Sequence, residues 1–136
     1  MDNEALMPQT LTMKLQILES TVSVCRLDAK AAIPDWALHS NFLSITRTTS
    51  ELSIVCETGR VPHDIQMEQG WKIFKVEGIL DFSLTGILAS IANPLAQAKI
   101  SIFAISTFDT DYILVKEENL NQAVEVLSIS GFEILK

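Results

Sequence analysis

From Trp71 onward the apolar residues change their spacing in an order that few folds can accept. WKIFKVEG alternates with the period of a strand. Residues 85–98, TGILASIANPLAQA, place Ile87, Leu88, Ile91, Leu95 and Ala98 on one face at the helical period. ISIFAISTF and DYILVKE alternate again, parted by the turn signal Asp109-Thr110. ENLNQAVEVLSIS returns to the helical period through Leu120, Ala123, Val124 and Leu127, with Asn119 as the expected cap and Gly131 as the stop. FEIL closes the series as a strand. Strand, helix, strand, strand, helix, strand is the split βαβ, or ferredoxin-like, arrangement of the α+β class. Two helices then cover one face of a four-stranded antiparallel sheet. Pro94 is expected to kink the first helix, because it removes the hydrogen bond to the Ser90 carbonyl.

The first half is less regular. LQILE (15–19) and VSVCRL (22–27) alternate as a strand, with a bend expected at Ser20-Thr21. AKAAIPDWALH (29–39) is expected to be a short helical segment broken by Pro34. FLSITRTT and ELSIVCE form an expected hairpin around Thr49-Ser50. Residues 58–70 carry Gly59, Pro62, His63 and Gly70 and are expected to be a loop with a helical turn at DIQMEQ. The two halves match at a 60-residue offset. Ser44-Ile45-Thr46 falls over Ala104-Ile105-Ser106, and Glu51-Leu52-Ser53-Ile54-Val55 falls over Asp111-Tyr112-Ile113-Leu114-Val115. Glu57 falls over Glu117. The shared acidic residue before each return strand favours duplication. The expected organisation is a flexible tail (1–12), a degenerate first copy (13–66) and a complete second copy (67–136).

Composition removes several function classes. Apolar residues make up 48% and charged residues 20%, so a wholly disordered chain is not expected. The net charge of −7 disfavours nucleic acid and anionic membrane surfaces as partners. No run of 18 apolar residues is present, and the acidic start MDNEALMPQTLT is unlike a signal peptide, so a cytoplasmic protein is expected. Cys25 and Cys56 lie in the strand-like contexts SVCRL and SIVCE and are expected to be buried reduced thiols. Two Cys and two His do not make a structural zinc site, and no metal is expected. His39 and His63 stand near no nucleophile motif, and no phosphate-binding or dinucleotide fingerprint is present. Glu117 and Glu118 are adjacent at a helix start and suit the dipole there. Catalysis and cofactors are therefore not expected.

The stretch GILASIANPLAQAKISIFAISTFDTDYILVKEENLNQAVEVL resembles the ACT-like domains of the CASTOR type, which are amino-acid-binding regulatory modules. The resemblance rests on Gly86-Ile87 opening a helix, Pro94-Leu95-Ala96 inside it and Ile100-Ser101 entering the next strand. It continues through Ile105-Ser106-Thr107-Phe108 and Asp111-Tyr112-Ile113-Leu114-Val115. In the eukaryotic arginine sensors of this type one chain holds two modules, each of two ACT-like domains, with the ligand between domains of different modules. A 136-residue chain resembles one module, which implies a homodimer that supplies the other half. The resemblance also implies that Gly86, Ile87, Thr107, Phe108 and Asp111 contact a free amino acid, and that the protein senses it in trans.

These residue types suit that ligand. A helix N-terminus such as Thr85-Gly86-Ile87 offers free N–H groups and a positive dipole end to an α-carboxylate. Gly86 permits close approach to the backbone. Ser106-Thr107-Phe108 offers carbonyls and hydroxyls to an α-ammonium, and Asp111 can pair with a cationic group. Taken singly, Gly86 reads as a turn glycine, and Asp109 and Asp111 as a solvated hairpin tip. One departure bears on the ligand. The arginine sensors carry an acidic residue two positions before the glycine, and here that position is Leu84. A smaller or apolar amino acid is then at least as well suited as arginine. The alternative reading is a structural or protein-interaction module without ligand, built on an open sheet face or edge.

Overall fold

The structure, a computed structural model, describes residues 13–77 and 86–136. The expected tail (1–12), Gly78, the connection ILDFSL with Leu84, and Thr85 lie outside the described residues. The strands are β1 (Lys14–Ile17), β2 (Val22–Leu27), β3 (Ser44–Arg47), β4 (Leu52–Glu57), β5 (Gln66–Val76), β6 (Ile102–Ser106), β7 (Asp111–Lys116) and β8 (Glu133–Leu135). The α-helices are α1 (Ile87–Gln97) and α2 (Leu120–Ile129). The chain forms two compact units, Glu19–Ile73 and Phe74–Lys136, the latter together with the segment up to Leu18. The division falls between β1 and β2 and again inside β5.

In the unit Glu19–Ile73 the strands run in the order β3-β4-β2-β5, all antiparallel. Cys25, Ala37, Leu52, Ile54, Cys56 and Val61 form its core. Both thiols are free and buried. Cys25 hydrogen-bonds with Cys56, and this bond together with burial pushes the Cys25 thiol up, so it is protonated at neutral pH. Buried Ser23 pairs with the Thr58 hydroxyl at 2.9 Å. Arg60 Nε donates to Glu57 Oε1 at 3.1 Å and Ser20 Oγ to Glu57 Oε2 at 3.2 Å. The guanidinium, with the Ser20 hydroxyl, holds the Glu57 carboxyl below its usual range.

Two expectations for this unit need correction. Residues 29–39 form no α-helix; only Asp35–Ala37 make a single 3-10 turn. Pro34 disfavours helical geometry in the residue before it. The guanidinium of Arg47 meanwhile takes the carbonyls of Ala29 and Ala31, which a helix would use internally. Residues 66–70 are not loop but the start of the 11-residue β5. Gly70 marks a bulge there: its φ is +84, and the register against β2 shifts between Val22 and Val24. A glycine inside a strand reads as punctuation in a sequence, and here it only bends the strand.

The other unit contains the strand–helix–strand–strand–helix–strand order read from Trp71 onward. Its sheet has an additional member. β1 pairs antiparallel with β5 (Leu15 opposite Val76) and parallel with β8 (Leu15 opposite Ile134). β7 pairs with β5 and with β6. The order is therefore β8-β1-β5-β7-β6, with β1 between two strands that a four-stranded version would place side by side. Glu77 N–H donates to the Lys14 carbonyl and Glu133 N–H to the Met13 carbonyl, each at 2.9 Å. Residues 67–136 alone thus do not complete this sheet.

Ile91 and Leu95 of α1 and Ala123 and Leu127 of α2 pack against Leu15, Phe74, Val76, Ile113 and Val115, all on one face of the sheet. α1 runs through Pro94 without interruption. α2 is preceded by a 3-10 turn at Glu117–Asn119, and Asn119 stands at its N-cap without a side-chain hydrogen bond. Gly131, at φ +105, ends α2, with Phe132 N–H returning to the Leu127 carbonyl at 3.0 Å. α1 ends in the same way on Lys99, whose φ of 63 is left-handed. Lys99 N–H bonds the Ala96 carbonyl and Ile100 N–H the Leu95 carbonyl, each at 2.9 Å. A lysine carries a cost in this conformation that glycine avoids. Lys99→Gly is expected to stabilise the fold by about 1 kcal/mol, read from a thermal melt. An unchanged or lower melting temperature contradicts that reading.

Candidate functional site

The elements expected to bind a ligand fall at one end of the unit that holds both helices. α1 follows β5 in the chain after residues 77–86, and β6 runs parallel to β5 because a helix connects them. The β6–β7 turn therefore lies at the same end of the sheet as the start of α1. Gly86 is exposed and opens α1 in the left-handed conformation, φ +79 and ψ 1. Its carbonyl accepts the first helical bond, from Ser90 N–H, at 2.8 Å. Among the described residues, no heavy atom outside its chain neighbours lies within 4 Å of where a Cβ would stand. Glycine is thus required here by φ rather than by packing. Ile87 is half-buried and packs against the helix-covered core. No acidic side chain occupies the first turn of α1, so nothing there competes for an anion.

The turn is closed by threonines. Thr107 N–H and Oγ1 both donate to the Thr110 carbonyl, at 2.9 and 3.0 Å. Thr107 itself is exposed, and Phe108 at the tip is 80% exposed. Asp111 is half-buried at the start of β7, and its Oδ1 accepts the Ser106 hydroxyl at 2.6 Å. That bond fixes the carboxylate and leaves its remaining lone pairs for a cation.

Thr110 is the residue that sequence reasoning missed. It is 3% exposed, and its hydroxyl donates to the Val76 carbonyl at 2.7 Å. Glu77 N–H bonds toward β1, so alternation turns the Val76 carbonyl away from β1 and toward β7. The Thr110 side chain therefore satisfies the last carbonyl of β5 and pins the turn to that strand end. A buried threonine beside an aspartate looks like any polar turn, and only the partner reveals its role. Thr110→Val is expected to leave the Val76 carbonyl unsatisfied and to cost about 1–3 kcal/mol. Denaturant unfolding reads this directly, and a loss under about 0.5 kcal/mol, the range of an ordinary surface change, removes the pinning argument.

Among the described residues no group of three or more His, Cys, Asp or Glu side chains is placed to hold a metal ion. No described helix is long and apolar enough to cross a membrane.

The family model for the ACT domain matches residues 66–128, and a model for a separate N-terminal domain matches residues 21–64. The human cytosolic arginine sensor for mTORC1 subunit 1 is 45% identical over 58 residues, 42% of this chain. That match spans 18% of the sensor, so the chain corresponds to a small part of that protein. Among solved structures, protein Atu0741 from Agobacterium tumefaciens is 42% identical with a TM-score of 0.87. The similarity covers 92% of this chain and 93% of that one. The regulatory subunit of aspartate kinase from Thermus thermophilus shares the fold, with a TM-score of 0.60 at 9% identity, covering 88% of this chain and 99% of that one. Residues 66–128 of this chain thus match the ACT domain family, and the unit that holds them has the ferredoxin-like fold of that family.

Proposed function

We propose that the protein is a regulatory module that binds a free amino acid, of the CASTOR type, and acts in trans as a homodimer in the cytoplasm. One observation carries the reading most directly. An anion-accepting helix start at Gly86-Ile87 and a pinned turn presenting Thr107, Phe108 and Asp111 lie at the same end of one sheet. The helix N–H groups suit the α-carboxylate. The Thr107–Phe108 carbonyls and the Asp111 carboxylate suit the α-ammonium or a cationic side chain. With Leu84 in place of an acidic residue, a smaller or apolar amino acid is at least as well suited as arginine. The similarity to an arginine sensor supports the ligand class. No catalytic step belongs to this reading.

Residues 13–66 are, on this proposal, a degenerate copy of residues 67–136. Both contain a hairpin whose four-residue turn is closed by a threonine N–H. Thr48 N–H donates to the Glu51 carbonyl and Thr107 N–H to the Thr110 carbonyl, each at 2.9 Å. Both hairpins run directly into a 3-10 turn, at Thr58–Arg60 and Glu117–Asn119.

A thermal-shift screen of the twenty amino acids tests the binding. A ligand at 100 times its dissociation constant stabilises the folded state by about 2.7 kcal/mol. At least one of the twenty is expected to raise the melting temperature clearly. If none does, the chain is a protein-interaction module without an amino-acid ligand.

A further inference from the structure

The two thiols of the unit Glu19–Ile73 stand side by side on one ladder. β2 and β4 pair with Ser23 opposite Cys56 and Cys25 opposite Ile54. Residues two apart on a strand share a face, so Cys25 and Cys56 are diagonal neighbours on the same side of the sheet. Both sit in the core of this unit with Leu52 and Ile54, and both are free. They are the only cysteines in the chain. A buried cysteine is ordinarily a small apolar side chain that needs no partner. Here each thiol has the other within hydrogen-bonding reach. The pair is not symmetric. Cys25 stands inside β2, and Cys56 stands one residue from the end of β4, beside the 3-10 turn that carries Arg60. The hydrogen bond from Cys25 favours a thiolate at Cys56, and the Arg60 charge adds to it against burial and the Glu57 charge.

Diagonal neighbours on a ladder have Cα atoms about 7–8 Å apart. A relaxed disulfide holds them about 4.4–6.8 Å apart. A bond between these two thiols therefore has to draw β2 and β4 together. The register shift of β5 against β2, between Val22 and Val24, lies where β2 would have to move. A disulfide closed against such resistance is readily reduced again. We propose that Cys25 and Cys56 form a reversible redox switch, closed by a hydroperoxide and reopened by a dithiol. The Cys56 sulfur attacks the hydroperoxide first. An S–O bond forms, the O–O bond breaks, and the alcohol (water, for hydrogen peroxide) leaves with the Cys56 proton. The Cys25 sulfur then attacks that sulfenic sulfur. The S–S bond forms, the S–O bond breaks, and water leaves with the Cys25 proton. Two thiols and one hydroperoxide thus give one disulfide, one alcohol and one water. A dithiol returns both cysteines to thiols by exchange and is itself oxidised to a disulfide.

The switch goes beyond the amino-acid reading and does not rest on it. Its test treats the full folded chain with hydrogen peroxide in native buffer and counts free thiols. Both thiols are expected to disappear, with a peptide map joining Cys25 to Cys56 within one chain. Dithiothreitol is expected to restore both. Cys25→Ala is expected to leave Cys56 as a sulfenic acid that dimedone traps, about tenfold or more faster than it traps Cys25 in Cys56→Ala. If either variant does not fold, the peptide map of the wild type decides the matter. Two thiols that stay free in the treated chain, or a link between chains instead of within one, overturn the proposal. So does trapping at equal rates in the two folded variants. An oxidation rate that climbs with urea in step with unfolding also overturns it, because the thiols then react only in the unfolded chain.

Discussion

A chain shortened to residues 67–136 is expected to remain unfolded, although it contains every element of the strand–helix–strand–strand–helix–strand order. β1 is what it lacks. Without Lys14–Ile17, β8 loses its ladder partner, and β5 loses the partner of Phe74–Val76. Leu15, fully buried beneath the helices, is lost from the core as well. Removing a buried leucine side chain alone costs about 2–5 kcal/mol. A domain of this size has only about 5–15 kcal/mol of stability in total. The backbone groups of two strands, left unpaired at once, add to the deficit. Circular dichroism of the fragment is expected to show no cooperative thermal transition, while the full chain melts cooperatively. A native-like spectrum with a cooperative melt from the fragment contradicts the role given to β1.

The second large effect is expected at the candidate site. Asp111→Ala should weaken amino-acid binding by about 1.5–3 kcal/mol, the worth of a hydrogen bond to a charged group. Asp111 also accepts the Ser106 hydroxyl, so Ser106→Ala serves as a control for orientation alone. Its effect is expected to be smaller, because the carboxylate remains. Gly86→Val should abolish binding for a different reason. A β-branched residue at φ +79 is strained, and its side chain fills the space the ligand needs. The strain costs about 1–2 kcal/mol of stability, so calorimetry is run well below the melting temperature. Unchanged affinity in both Asp111→Ala and Gly86→Val moves the site away from this end of the sheet.

The second half of the chain was legible because its periods are long and uninterrupted. Ile87 to Ala98 and Leu120 to Leu127 have the spacing of helices, and both are helices that bury the expected face. The strand LQILE was also legible as a strand, but its partners were not. Period two says that Leu15 and Ile17 share a face, and it carries no information about which strands lie alongside. Sequence order alone therefore sets β1 beside the residues that follow it, while its ladder partners are β5 and β8. Residues 29–39 failed for a related reason. Their composition suits a helix, and the carbonyls are claimed instead by Arg47, far away in sequence. At the site, Gly86 and the turn residues could be picked out by resemblance. Thr110 could not, because its role depends on a carbonyl 34 residues away.

The central claim is that one end of this sheet holds an amino acid between the start of α1 and the β6–β7 turn. Co-crystallisation with the amino acid that most raises the melting temperature tests it most directly. The account predicts electron density with the α-carboxylate at the N–H groups of the first turn of α1 beside Gly86. The ammonium or side chain should lie against Thr107, Phe108 and Asp111. Density for the ligand bound elsewhere on the chain, with this end of the sheet empty, would contradict it.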